Sequence, residues 1–143
     1  MVALIVDIQY YPVNGTHVIK EASVISLTSE NYHHFVFKNL TFWHDLSTKD
    51  RETARFISED LGCLHYNCGL DVLQNFIDNI SCDALIIVNG HIKKKMLRKI
   101  FPHNRIVDIK VPFYSLTCSK KCSFPSYHTQ CSLTNCLKIK SFL

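Results

Sequence analysis

"VALIVDIQYYPVNGTHVIKEASVISL", residues 2–27, decides the fold. Residues 2 to 10 are nearly continuous Val, Ala, Leu and Ile broken by Asp7 and Gln9, the composition of a buried strand. Asn14-Gly15 is a strong signal for a two-residue hairpin turn, whose central positions need positive φ. Residues 17 to 27 then read as the return strand. Ser29 to Asn31 make another turn, and Tyr32 to Lys38 a third strand. The chain therefore opens as a three-stranded antiparallel meander.

Beyond this the period changes. Ser47 or Thr48 can cap a helix running to about Glu59. Leu61 to Gly69 reads as a loop. A second helix follows Gly69, with Val72, Leu73, Phe76, Ile77 and Ile80 on one apolar face. "ALIIV", residues 84–88, is short and fully apolar, as a parallel strand covered on both faces is. A helix from about His91 to Phe101, a strand from Arg105 to Val111, a Cys-rich loop and a last helix from about Thr129 to Phe142 complete the chain. The order is β-β-β-α-α-β-α-β-α.

The length of 143 residues suits one domain with a single core. No apolar run approaches the length that spans a bilayer. The start has no basic region and no small-residue cleavage site, so it reads as a strand and not as a signal peptide. A cytoplasmic or nuclear setting is expected, and the three glycosylation triplets at Asn14, Asn39 and Asn79 are taken as chance. The net charge of +4 permits nucleic-acid binding without demanding it. Seven Cys is an odd number, and four of them lie between Cys118 and Cys136. In a reducing compartment such clustering points to metal before disulfide.

Several segments, in order, resemble the DEDDh proofreading-type 3′–5′ exonucleases of the ribonuclease H-like superfamily. "LIVDIQ" looks like their first strand, which ends Asp-x-Glu, and "HVIKEASVI" like their second. "DALIIVNGHIKKKMLRKIF" resembles their strand and helix around the second Asp. "RIVDIKV" is similar to their next strand, and "QCSLTNC" to the start of their final helix. The resemblance covers most of the chain. It implies a ribonuclease H-like α/β fold over residues 1–143: a mixed five-stranded sheet, an antiparallel meander then parallel strands, flanked by helices.

The family's chemistry needs four carboxylates holding two divalent cations about 4 Å apart. Here only the first remains. Asp7 matches the first Asp, Gln9 stands where the Glu belongs, Lys93 where the second Asp belongs, Asn135 where the last Asp belongs and Gln130 near the base His. Two unit positive charges at about 4 Å repel by roughly 4 kcal/mol at an effective dielectric of about 20, so Lys93 opposes a dication. Hard cations also favour carboxylate oxygens. The resemblance therefore implies a catalytically inactive domain. For Asp7 the alternative is a strand-end Asp bound by nearby backbone amides. For Glu21 it is a solvent-facing strand residue.

The cysteine cluster reads C-x3-C-x5-H-x2-C through Cys118, Cys122, His128 and Cys131. Zinc takes four such ligands in a tetrahedron, and one loop can supply several of them. His128 and Cys131 fall at a helix start, where the dipole favours thiolate. A structural zinc in the loop 118–136 is expected, with Cys136 as alternative to Cys118, and Cys82 or Cys63 able to approach in space. The logic resembles the Maelstrom domain, an exonuclease-like fold that lacks the DEDDh acids and carries a Glu-Cys-His-Cys zinc site. The spacing differs, and the sequence does not place the Glu.

Lys93, Lys94, Lys95, Arg98 and Lys99 make a basic face on the third helix, which the resemblance puts beside the old cleft. Such a face suits phosphates; the alternative is a solvated helix face. Tyr10, Tyr11, Phe42 and Trp43 could stack on bases, or belong to core and rim. His65 lies near Cys63 and Cys68, but nothing in the sequence orients a Cys–His pair there. The leading expectation is an inactive, zinc-stapled exonuclease-like domain that binds nucleic acid, single-stranded RNA before DNA, or a protein partner. A second is an active 3′–5′ exonuclease or Maelstrom-like RNA nuclease using Asp7, with Glu21 and Asp108. Mg2+ belongs only to that reading. A third is a pure protein-interaction module.

Overall fold

The computed structural model describes residues 2–37, 46–55, 70–112 and 131–143. The first strand, β1 (Ala3–Val13), turns at Asn14-Gly15 into β2 (Thr16–Ser26). Both turn residues have positive φ, 48° and 81°, as a primed turn requires. A third strand, β3 (Tyr32–Val36), follows antiparallel to β2. Then come α1 (Thr48–Arg55), α2 (Leu70–Ile80), β4 (Leu85–Val88), α3 (His91–Ile100), β5 (Ile106–Asp108) and α4 (Ser132–Phe142). The five strands form one mixed sheet in the order β3-β2-β1-β4-β5. β4 runs parallel to β1, and β5 parallel to β4. The element order and the mixed sheet are those read from the sequence.

Strand alternation divides the core between two layers. Leu4, Val6 and Ile8 of β1, with Ala22, Val24, Ile86 and Val88, pack against Leu73 and Ile77 of α2, Leu97 of α3 and Phe101 just after it. Ile5, Ile25 and Ile87 pack on the opposite face against Cys136 and Ile139 of α4. The sheet is thus covered on both faces, with α4 over the middle of the odd-numbered side of β1 and Leu46, just before α1, against Tyr11 at its far end.

Several boundaries differ from expectation for local reasons. β1 continues to Val13, because the Asn-Gly turn keeps the ladder paired up to Val13 opposite Thr16. Ser47 is the cap of α1, its Oγ accepting from Asp50 N at 3.1 Å. The last four residues of the expected first helix, 56–59, lie outside the described residues. β5 ends at Asp108, not Val111: Lys110 has a φ of 54°, and the Asp108 carboxylate accepts from its amide. α4 begins at Ser132, after Cys131 as an extended cap residue. Among the described residues no helix is long and apolar enough to cross a membrane.

Candidate functional site

The odd-numbered side of β1 changes character along its length. Ile5 is apolar and packs beneath α4, whereas Asp7 and Gln9 are polar and equally buried. Across the ladder Asp7 faces Ser23 and Gln9 faces Glu21. The first turns of α4 cover this polar row, and the first turn of α3 reaches it from the end of β4.

Asp7 is the centre. Lys93 Nζ donates to its Oδ1 at 2.7 Å. Gln9 Nε2 donates to Oδ2 at 3.0 Å, and Asn135 Nδ2 donates to the same oxygen at 3.1 Å. β1, α3 and α4 thus meet on one carboxylate, and three segments far apart in sequence are brought together. Burial pushes the Asp7 carboxyl above its ordinary value. The Lys93 charge and hydrogen bond, then the hydrogen bonds from Asn135 and Gln9, pull it back part of the way. A carboxylate offers about four lone-pair positions, and three are filled by side-chain donors. Those donors, rather than the nearby backbone amides expected for a strand-end Asp, hold Asp7.

Glu21 does not face solvent, as the alternative reading had it: it is fully buried. Its Oε1 accepts from Ser132 N at 2.6 Å, in the first turn of α4. Its Oε2 lies 3.5 Å from His34 Nε2 of β3. The Ser23 and Ser132 hydroxyls meet 2.7 Å apart beside it. The physical reason is a bulge. Pairing counted from the Asn-Gly turn runs Tyr10 to Ile19, then jumps to Gln9 with Glu21, leaving Lys20 as the extra residue. Without that insertion Glu21 would share the face of Ile8; with it, Glu21 joins Gln9 and Asp7 under α4.

Asp108 is not part of this cluster. It lies on β5, two strands from β1, and its Oδ1 accepts from Gly90 N at 2.9 Å and Lys110 N at 3.0 Å. The five cations of α3 also separate. Lys93 turns inward to Asp7, its side chain 15 % exposed, and leaves the basic face. Lys95, Arg98 and Lys99 are exposed and Lys94 is half-buried. Tyr11 is buried against Leu46, and Tyr10 sits beside the His17 ring, so both belong to core and rim.

Of the expected zinc ligands, Cys118, Cys122 and His128 lie outside the described residues, as do Gln130, Cys63, Cys68, His65, Phe42 and Trp43. Cys131 is buried and caps α4, its Sγ accepting from Thr134 N at 3.5 Å. Cys136 is a core thiol that donates to the Ser23 carbonyl at 3.3 Å. Burial, then the Asp7 charge, pushes its thiol well above the ordinary value, which disfavours a ligating thiolate. Cys82 is exposed. Among the described residues no three His, Cys, Asp or Glu side chains are grouped to hold a metal ion.

His34 and Ser132 were missed by sequence reasoning. The pairing of Ile25 with Tyr32 fixes His34 opposite Ser23 and hence on the α4 side, a signal available in the short Ser29–Asn31 turn. Ser132 carries no such signal for its bond to Glu21, which comes from a backbone amide. No protein-family model matches the chain, and no curated protein is significantly similar to it.

Proposed function

We propose that this chain is a ribonuclease H-like domain of the exonuclease type that no longer performs metal-dependent hydrolysis and works by binding, with nucleic acid as its ligand. One observation carries the reading: Lys93 Nζ lies 2.7 Å from Asp7, with the amides of Gln9 and Asn135 completing the ring around the carboxylate. The positions that the resemblance assigns to metal-binding acids are occupied by an ammonium and two amide donors. A dication entering there would meet the Lys93 charge at close range and only one carboxylate.

The strand order and the helices on both sheet faces support the fold part of the proposal. The zinc site belongs to it as well. Cys131 fits such a role, because its sulfur already accepts from an amide at a helix N-terminus, where a thiolate is favoured.

The test is incubation of labelled single-stranded RNA and DNA with the protein in magnesium, in manganese and in chelator. The expected result is retention of full-length oligonucleotide on the protein in all three, without shortening. Metal-dependent cleavage that disappears in Asp7→Ala would overturn the proposal.

A further inference from the structure

Helix α3 carries five cations and no acidic residue, and the sequence holds no Asp or Glu between Asp83 and Asp108. A solvated helix face ordinarily mixes charge signs, and like charges four residues apart weaken a helix. Lys94 with Arg98 and Lys95 with Lys99 are two such like-charged pairs, and nothing on the helix compensates them.

The rotation of α3 about its own axis is fixed from below. Leu97 is fully buried, Met96 and Ile100 pack on the same core, and Lys93 is anchored to Asp7. At about 100° per residue these four positions share one side, which leaves Lys94, Lys95, Arg98 and Lys99 on the other. The loop after β5 adds to this. Asp108 accepts from both Gly90 N and Lys110 N, so the backbone of the exposed Lys110 is held beside the start of α3.

We infer that the outward face of α3, through Lys94, Lys95, Arg98 and Lys99 with Lys110 at its head, is a sequence-independent site for the phosphodiester backbone of a polynucleotide. This rests on the binding function proposed above and assigns its location and mode. Each i, i+4 pair places two cations about 6 Å apart, close to twice the about 3.4 Å of axis that each phosphate of a strand occupies. The helix carries no Phe, Tyr or Trp, and its one imidazole, His91, stands at its first position, so the cationic face offers bases no stacking platform and the contact reads charge, not sequence. Lys93 takes no part, because its ammonium is committed to Asp7. Affinity at such a site comes from counterion release and falls steeply with salt.

The experiment is fluorescence anisotropy with a labelled mixed-sequence 20-mer RNA and a 20-mer oligo-dT over a sodium chloride series. Five backbone contacts to a single strand give a slope of log Kobs against log salt of about −3.5, the same for both oligonucleotides. Lys94→Gln, Lys95→Gln, Arg98→Gln and Lys99→Gln each reduce the slope by about 0.7, whereas Lys138→Gln on α4 leaves it unchanged. Circular dichroism confirms that each variant is folded. Binding whose slope ignores the α3 substitutions overturns this site and leaves the proposed binding function standing. Absence of binding to both oligonucleotides at low salt overturns both. Equal binding of poly-glutamate, with the same slope, overturns the polynucleotide assignment.

Discussion

Lys93, in the first turn of α3, and Asp7, inside β1, close to 2.7 Å across 86 positions of sequence. The pair joins a helix on one face of the sheet to a residue row on the other, so its removal has a pH signature. The folded Asp7 carboxyl lies above its ordinary value. Between the unfolded and folded values the folded chain holds a proton that the unfolded chain has released. Stability from this group therefore falls as pH rises through that window, and is level above it. Lys93→Met takes away the charge that pulls the carboxyl down and widens the window upward. Removing one partner of a buried pair destabilises by about 3 kcal/mol. Urea unfolding should show most of that loss at pH 7 and little at pH 4. Equal losses at the two values would contradict the ion pair.

Glu21 holds the start of α4 through Ser132 N. A charge-assisted hydrogen bond of this kind contributes about 1.5–3 kcal/mol. Glu21→Ala should cost about 2 kcal/mol by denaturant unfolding and speed hydrogen exchange at residues 132–136 ahead of β1. Glu21→Gln keeps an acceptor and should lose less. Uniform exchange across the chain in Glu21→Ala would mean that α4 is held by its apolar contacts alone.

The described thiols should react in a fixed order. Cys82 is exposed, whereas Cys136 is fully buried with its thiol pushed up by burial. Peptide mapping after a short pulse of iodoacetamide at pH 8 should find Cys82 modified and Cys136 untouched until denaturant is added. Labelling of Cys136 in the native chain would place it outside the core.

Metal and capping can be separated at Cys131, which caps α4. Serine is a good cap residue, so Cys131→Ser puts a capping oxygen in place of the sulfur while removing a zinc-ligating thiolate. Elemental analysis of protein purified without a metal column should find one zinc per chain, lost in Cys131→Ser with His128→Ala. A chelator should lower the Tm of the unaltered chain and leave that variant's unchanged. Zinc-free protein with the same Tm in chelator would remove the metal from the proposal.

Much of the fold was legible, because the signals that specify it are local. Asn14-Gly15 fixes the first hairpin, the apolar run at residues 84–88 marks the parallel strand, and α2 follows from its helical period. Gln9, Lys93 and Asn135 were also singled out in advance, from their places within motifs. Glu21 was misread because its orientation depends on Lys20, one inserted residue that no composition rule reveals. Lys93 was counted with the basic face because neighbouring lysines look alike in sequence; only its inward rotation beside Leu97 sets it apart. His34 could have been found by counting register across the turn. The contact at Ser132 could not, since a backbone amide leaves no trace in the choice of side chain.

The bond between Asn135 and Asp7 spans 128 positions. At about 5–20 residues per second, a ribosome needs on the order of ten seconds to make that stretch. For that interval β1 and β2 are without the helix that roofs them. Water can solvate Asp7, Gln9, Glu21 and Ser23 while they wait, so only the few isoleucines beside them are left bare. The polar row thus gives these strands a wettable side during synthesis, and its desolvation waits for α4.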